Sequence, residues 1–101
     1  MKIVIHVDET KKWSLATKNA LNLIKIDPSI KIIIVANSEA VEYFFDSESR
    51  YIPAIDYHVC HQSIMHRELD TQNIHKVAQI VQSGVYDIAL LQTQGYLYIK
   101  P

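Results

Sequence analysis

Ile30-Lys31-Ile32-Ile33-Ile34-Val35-Ala36 is an almost unbroken β-branched run, with apolar side chains where both faces of a strand would lie. A strand buried on both faces belongs in the interior of a parallel sheet covered by helices on each side. Asp27-Pro28 stands just before it, and because the residue ahead of a proline is pushed out of the α region, any preceding helix must stop there. Just after it, Asn37 or Ser38 can cap a second helix, with Ala40, Val41, Phe44 and Phe45 as its inner face and Asp46-Ser47-Glu48-Ser49 as its polar exit.

Upstream, Ile3, Val4, Ile5 and Val7 form a first strand, and Asp8-Glu9-Thr10 turns the chain toward a helix. Trp13, Ala16, Ala20, Leu23 and Ile24 recur at spacings of three and four, so one apolar stripe faces the sheet, with Trp13 packed between helix and sheet. Downstream, Pro53 precedes a third strand, Ile55 to Cys60, and Gln62 to Leu69 reads as a short helix. Val77 to Gln82 fits a strand or a helix by periodicity. Ser83-Gly84 followed by Val85, Ile88, Ala89 and Leu91, then Gly95, predicts a capped helix with a glycine stop. Tyr96 to Ile99 makes a last strand, with Tyr96 and Tyr98 on one face, for the core or for a subunit contact. Alternating strands and helices predict an α/β fold: one domain over residues 1–101, a three-layer α/β/α sandwich around a mostly parallel five-stranded sheet.

The apolar fraction is 49%, which suits a packed globule rather than a linker. Ten Lys+Arg against eleven Asp+Glu leave a formal charge of −1 without a basic block, so neither nucleic acid nor a membrane surface is expected as a partner. A single cysteine makes no internal disulfide, and no hydrophobic leader or membrane span is read near Met1; both point to the cytoplasm. No Walker loop, GxGxxG, HExxH or Ser-His-Asp order occurs. His58, Cys60, His61 and His66 match no standard zinc spacing and offer one thiolate, so no metal and no cofactor is expected.

The opening KIVIHVDE, the helix segment KNALNLIK, the strand-plus-cysteine YHVCHQS and above all the ending SGVYDIALLQTQGYLYIKP resemble the DsrE/DsrF-like (DsrEFH-like) family of small intracellular sulfur-metabolism proteins. The likeness runs nearly end to end, most specifically through Gly84, Leu91-Gln92, Gly95-Tyr96 and Tyr98-Ile99-Lys100-Pro101. The resemblance implies that Val77 to Gln82 is the fourth strand and Val85 to Gln94 the last helix. It further implies a homo-oligomer, trimer or hexamer, and a cysteine after the third strand that carries sulfur as a persulfide between donor and acceptor proteins. The matching residue is Cys60. Where many relatives have a His-Gly or Gly-rich turn after the second strand, this chain has Ala36-Asn37-Ser38.

A persulfide carrier needs an accessible thiol biased toward thiolate. Helix N-termini and neighbouring cations supply that bias. His58 and His61 flank Cys60 as thiolate-favouring groups, the Gln62-Ser63 amides can face the sulfur, and alternation puts His58 and Cys60 on one strand face. With the first and third strands as neighbours, His6 and Asp8 line the same crevice as a ligand site, with Asn37 and Ser63 at its rim. The competing reading is a non-catalytic oligomeric module that binds a small molecule or protein, with Cys60 incidental.

Overall fold

A computed structural model describes all 101 residues. Five strands, β1 (Lys2–Val7), β2 (Lys31–Ala36), β3 (Asp56–Cys60), β4 (Ala78–Val81) and β5 (Leu97–Ile99), form one sheet in the order β4-β3-β2-β1-β5. Every pairing is parallel. The expected α/β architecture is present, and the sheet is all-parallel rather than mostly so. The run that opened the reading is β2, at the centre, with Ile32 through Ala36 at most 5% exposed.

Register sorts the side chains onto two faces. Ile3, Ile5, Val7, Ile32, Ile34, Ala36, Tyr57 and Val59 point to one, where they pack with α1 (Trp13–Ile26), a 3₁₀ helix over Ser38–Phe45, and α2 (His61–His66). Val4, Ile33 and Val35 point to the other and meet Ile88 and Leu91 of α3 (Gly84–Thr93), together with Tyr96. Handedness explains the asymmetry. From β1 to β4 the chain steps across the sheet in one direction; from β4 to β5 it returns the other way, and a right-handed crossover in the reverse direction lays its helix on the opposite face. A single helix therefore covers the second face. Beside it Tyr98 stays 40% exposed, and on α3 itself Val85 and Tyr86 are 67% and 70% exposed.

The second helix differs from expectation. Ser38–Phe45 is a 3₁₀ helix, long for that type. Carbonyls that an α-helix would use internally are recruited elsewhere: the Trp13 indole N–H donates to Ala40 O at 3.1 Å, and the Thr10 hydroxyl to Glu39 O at 3.4 Å. Asn37 occupies the cap position without capping, because its side chain is bound to His6 instead. Trp13 stacks on Tyr43 at 4.3 Å, within an aromatic cluster that includes Phe44, Tyr51 and Tyr57.

Candidate functional site

In a parallel sheet, ligands bind outside the carboxyl ends of the strands where neighbouring connections leave to opposite faces. The connection after β3 goes to α2 on one face and that after β4 to α3 on the other, so the switch point lies between these two adjacent strands. Cys60 ends β3 at that point.

Cys60 is also the N-cap of α2: its sulfur accepts the Ser63 N–H at 3.4 Å. Gly84, the first residue of α3, presses on it from the other side. A Cβ at position 84 would stand 3.2 Å from the Cys60 Cβ and 3.2 Å from the Asn37 Cβ, so a side chain-free residue is what lets α3 start this close to the strand ends. Burial pushes the Cys60 thiol up, but hydrogen bonding by the Ser63 hydroxyl and the backbone N–H groups of Gly84, Ser63 and Gln62 outweighs it, and the thiol lies below its ordinary value. The Ser63 hydroxyl is itself polarised, since its oxygen accepts the Ser38 N–H at 2.8 Å. Ser38 reaches that position with φ 52°, the left-handed region that a glycine turn would enter freely.

Cys60 as a residue is only 5% exposed, yet it lines an open cavity of about 330 Å³. Asn37, Ser38, Ser63 and Ser83 surround it with hydroxyl and amide groups, while His66 and Arg67 supply the titratable side chains and no carboxylate lines it. Arg67 reaches out to an ion pair with Glu42. A second cavity of about 510 Å³ shares Gln62 and Ser83 with the first and extends along β4 to Tyr86 and Asp87. Both flank the start of α3.

The expected site residues are placed as follows. Asn37 and Ser63 line the thiol cavity. His58 shares the strand face of Cys60, as alternation requires, but its Nδ1 is hydrogen-bonded to Asp87 Oδ2 at 2.7 Å, away from the sulfur. His61, the first residue of α2, is exposed and lines neither cavity. The premise that the first and third strands are neighbours is wrong: β2 lies between them. His6 consequently sits two strands from Cys60, bridging Tyr98 Oη at 2.6 Å and Asn37 Oδ1 at 2.8 Å. Asp8 pairs with Lys100 at 2.7 Å outside the cavity. That lysine's hydrogen bond is the main reason the Asp8 carboxyl lies below the usual carboxylate range. No cluster of three or more His, Cys, Asp or Glu side chains gathers anywhere, since β3 and α2 send the four candidates in different directions. Sequence reasoning missed Asp87, Ser83 and Arg67, and weighed His66 only as a metal ligand; the Ser83-Gly84 pair, read there only as a helix start, was the available signal for the approach of α3.

Among solved structures the chain resembles MTH1491 of Methanobacterium thermoautotrophicum, a protein of unknown function, at 25% identity and a TM-score of 0.88 over 99% of this chain and 98% of that one. It also resembles the ychN protein of E. coli, at 11% identity and a TM-score of 0.80 over 100% and 99% of the two chains. No family model and no curated protein matches. The likenesses define the class, an α/β protein with a five-stranded parallel sheet. No helix is long and apolar enough to cross a membrane.

Proposed function

We propose that the chain is a DsrE/DsrF-like sulfur-relay protein of a reducing compartment, in which Cys60 carries sulfane sulfur as a persulfide. The observation that supports this reading most is a thiol in the lining of an open cavity whose sulfur accepts the Ser63 N–H at 3.4 Å and which lies below its ordinary value. In the loading step the Cys60 thiolate attacks the outer sulfur of a donor persulfide R–S–SH; a new S–S bond forms, the donor's S–S bond breaks, and R–S⁻ leaves and takes a proton from solvent. In the unloading step an acceptor thiolate attacks the outer sulfur of Cys60–S–SH, and the Cys60 thiolate departs. The same N–H groups that favour the attacking anion stabilise it as leaving group, so both directions benefit. Oxidation states balance, because the transferred atom remains sulfane sulfur throughout.

Copies of the chain meet, in this reading, on the sparsely covered face around α3, where Val85, Tyr86, Leu90 and Tyr98 are exposed. The homo-oligomer expected from the resemblance, trimer or hexamer, is checked by light scattering coupled to size exclusion. A monomer at all concentrations discards that element.

The test of the relay is intact-protein mass spectrometry after incubation with inorganic polysulfide. The expected result is one added sulfur atom on Cys60, removed by cyanide and by dithiothreitol and absent in Cys60→Ser. A protein that stays unmodified while its thiol alkylates normally rules the reading out. The neighbouring cavity of about 510 Å³, which shares Gln62 and Ser83 with that of Cys60, favours a second reading, a binding module that takes a small molecule without sulfur transfer. A ligand that raises Tm equally in the parent and in Cys60→Ser supports that alternative.

A further inference from the structure

β3 and α3 run antiparallel to each other and touch at two levels. At the top, Gly84 lies against Cys60, with the Cβ positions in near contact. Below, Asp87 on the next part of the helix bonds His58, two residues earlier on the strand and on the same face. The lower contact is well shielded, with side chains 15% and 13% exposed and an N···O distance of 2.7 Å. A charge-assisted bond of this kind is short and directional, and holds its partners far better than an exposed surface pair. The upper contact has no comparable anchor of its own. Ser83 caps α3 through the Tyr86 N–H at 3.3 Å, a bond within the helix that does not tie it to β3.

We propose that Asp87, acting through His58, is a positioning residue that holds the first turn of α3 against the end of β3 and keeps the Gly84 backbone on the Cys60 sulfur. His58 thus acts on the thiol by fixing a donor rather than by its own field. The inference deepens the proposed site, yet it concerns thiol acidity alone and stands whether or not the thiol ever carries a persulfide.

The groups facing this pair define what else can bear on it. From β3 it is flanked by Cys60 and Asp56, and in register with His58 stand Val35 on β2 and Gln79 on β4. No lysine or arginine pairs with either member. The pair is therefore self-contained, and removing the Asp87 carboxylate leaves His58 without its partner.

The experiment is the rate of Cys60 alkylation by iodoacetamide as a function of pH, on the full chain. In Asp87→Ala the midpoint of the profile moves upward, and the rate at neutral pH falls about twofold to threefold, because a donor to the thiolate is lost and the greater nucleophilicity of the more basic thiolate offsets only part of the lost anion. Asp87→Asn keeps an oxygen that can accept from His58 Nδ1 and restores most of the rate. A purely structural role predicts a lower Tm for Asp87→Ala with an unmoved midpoint; that result overturns the proposal. Should Asp87→Ala not fold, His58→Leu, which has no donor for Asp87, read the same way decides it: an unmoved midpoint in a folded His58→Leu is equally fatal. Failure of polysulfide loading with a normal alkylation profile bears on the relay and not on this inference.

Discussion

Replacing Gly84 by alanine tests the close approach of α3 to the strand ends from the helix side. The added Cβ would stand 3.2 Å from the Cβ atoms of Cys60 and Asn37 and 3.6 Å from a Val35 methyl. Carbon pairs are most favourable at about 3.5–4.0 Å, so the first turn of α3 must withdraw by a few tenths of an ångström. Neither neighbour yields easily, since Cys60 ends a sheet strand and Asn37 is held by His6. Overpacking of this kind costs about 1–2 kcal/mol, and the better helix propensity of alanine at a terminal position offsets about 0.5 kcal/mol of that. The net loss of about 1 kcal/mol lowers Tm by about 4–8 °C in a domain of this size. The same withdrawal carries the Gly84 N–H away from the sulfur. A loss of about 1 kcal/mol in thiolate stabilisation means about fivefold less thiolate at neutral pH. Thermal unfolding and the iodoacetamide pH profile measure the two effects separately. If Gly84→Ala is as stable as the parent and its thiol titrates unchanged, the contact does not constrain the site. If stability falls but the thiol titrates as before, the link from helix position to thiol acidity is refuted.

Two further predictions concern pH. Because the folded Cys60 thiol lies below its ordinary value of 9.0, the unfolded chain binds more protons in the window between the two, so stability rises with pH through the folded value and levels off near 9.0; urea melts across that range show the rise in the parent, and a flat profile matching Cys60→Ser contradicts it. Burial raises the Tyr51 phenol to about 12 from 10.0; here the folded state binds more protons, so stability falls as pH climbs from 10.0 toward 12. Spectrophotometric titration should show late tyrosine ionisation, to which Tyr57, also pushed up by burial, contributes, and Tyr51→Phe should reduce the late signal and soften the alkaline loss.

How much of this was legible before folding depends on the range of each interaction. The β-branched run of β2, the three-and-four stripe of Trp13, Ala16 and Ala20, and Cys60 at the end of a strand before a helix all follow from local periodicity and punctuation. The 3₁₀ form of Ser38–Phe45 did not, because it depends on Trp13 and Thr10 reaching carbonyls on another element. The grouping of His6 and Asp8 with Cys60 failed on strand order, which the pattern of any one strand leaves open. Alternation placed His58 on the correct face, but its partner Asp87 lies 29 residues away, on a helix whose position is set by the crossover from β4 to β5.

By itself, then, the amino-acid order determined which segments become strands and helices and where the one thiol stands, since these follow from side-chain periods and from residues that start or stop an element. The tertiary structure alone decided the surroundings of that thiol. Strand order put β2 between β1 and β3, and the reversed crossover brought Gly84 down onto the sulfur and Asp87 onto His58. Those contacts join residues far apart in the chain, and only the closed sheet brings them within bonding distance.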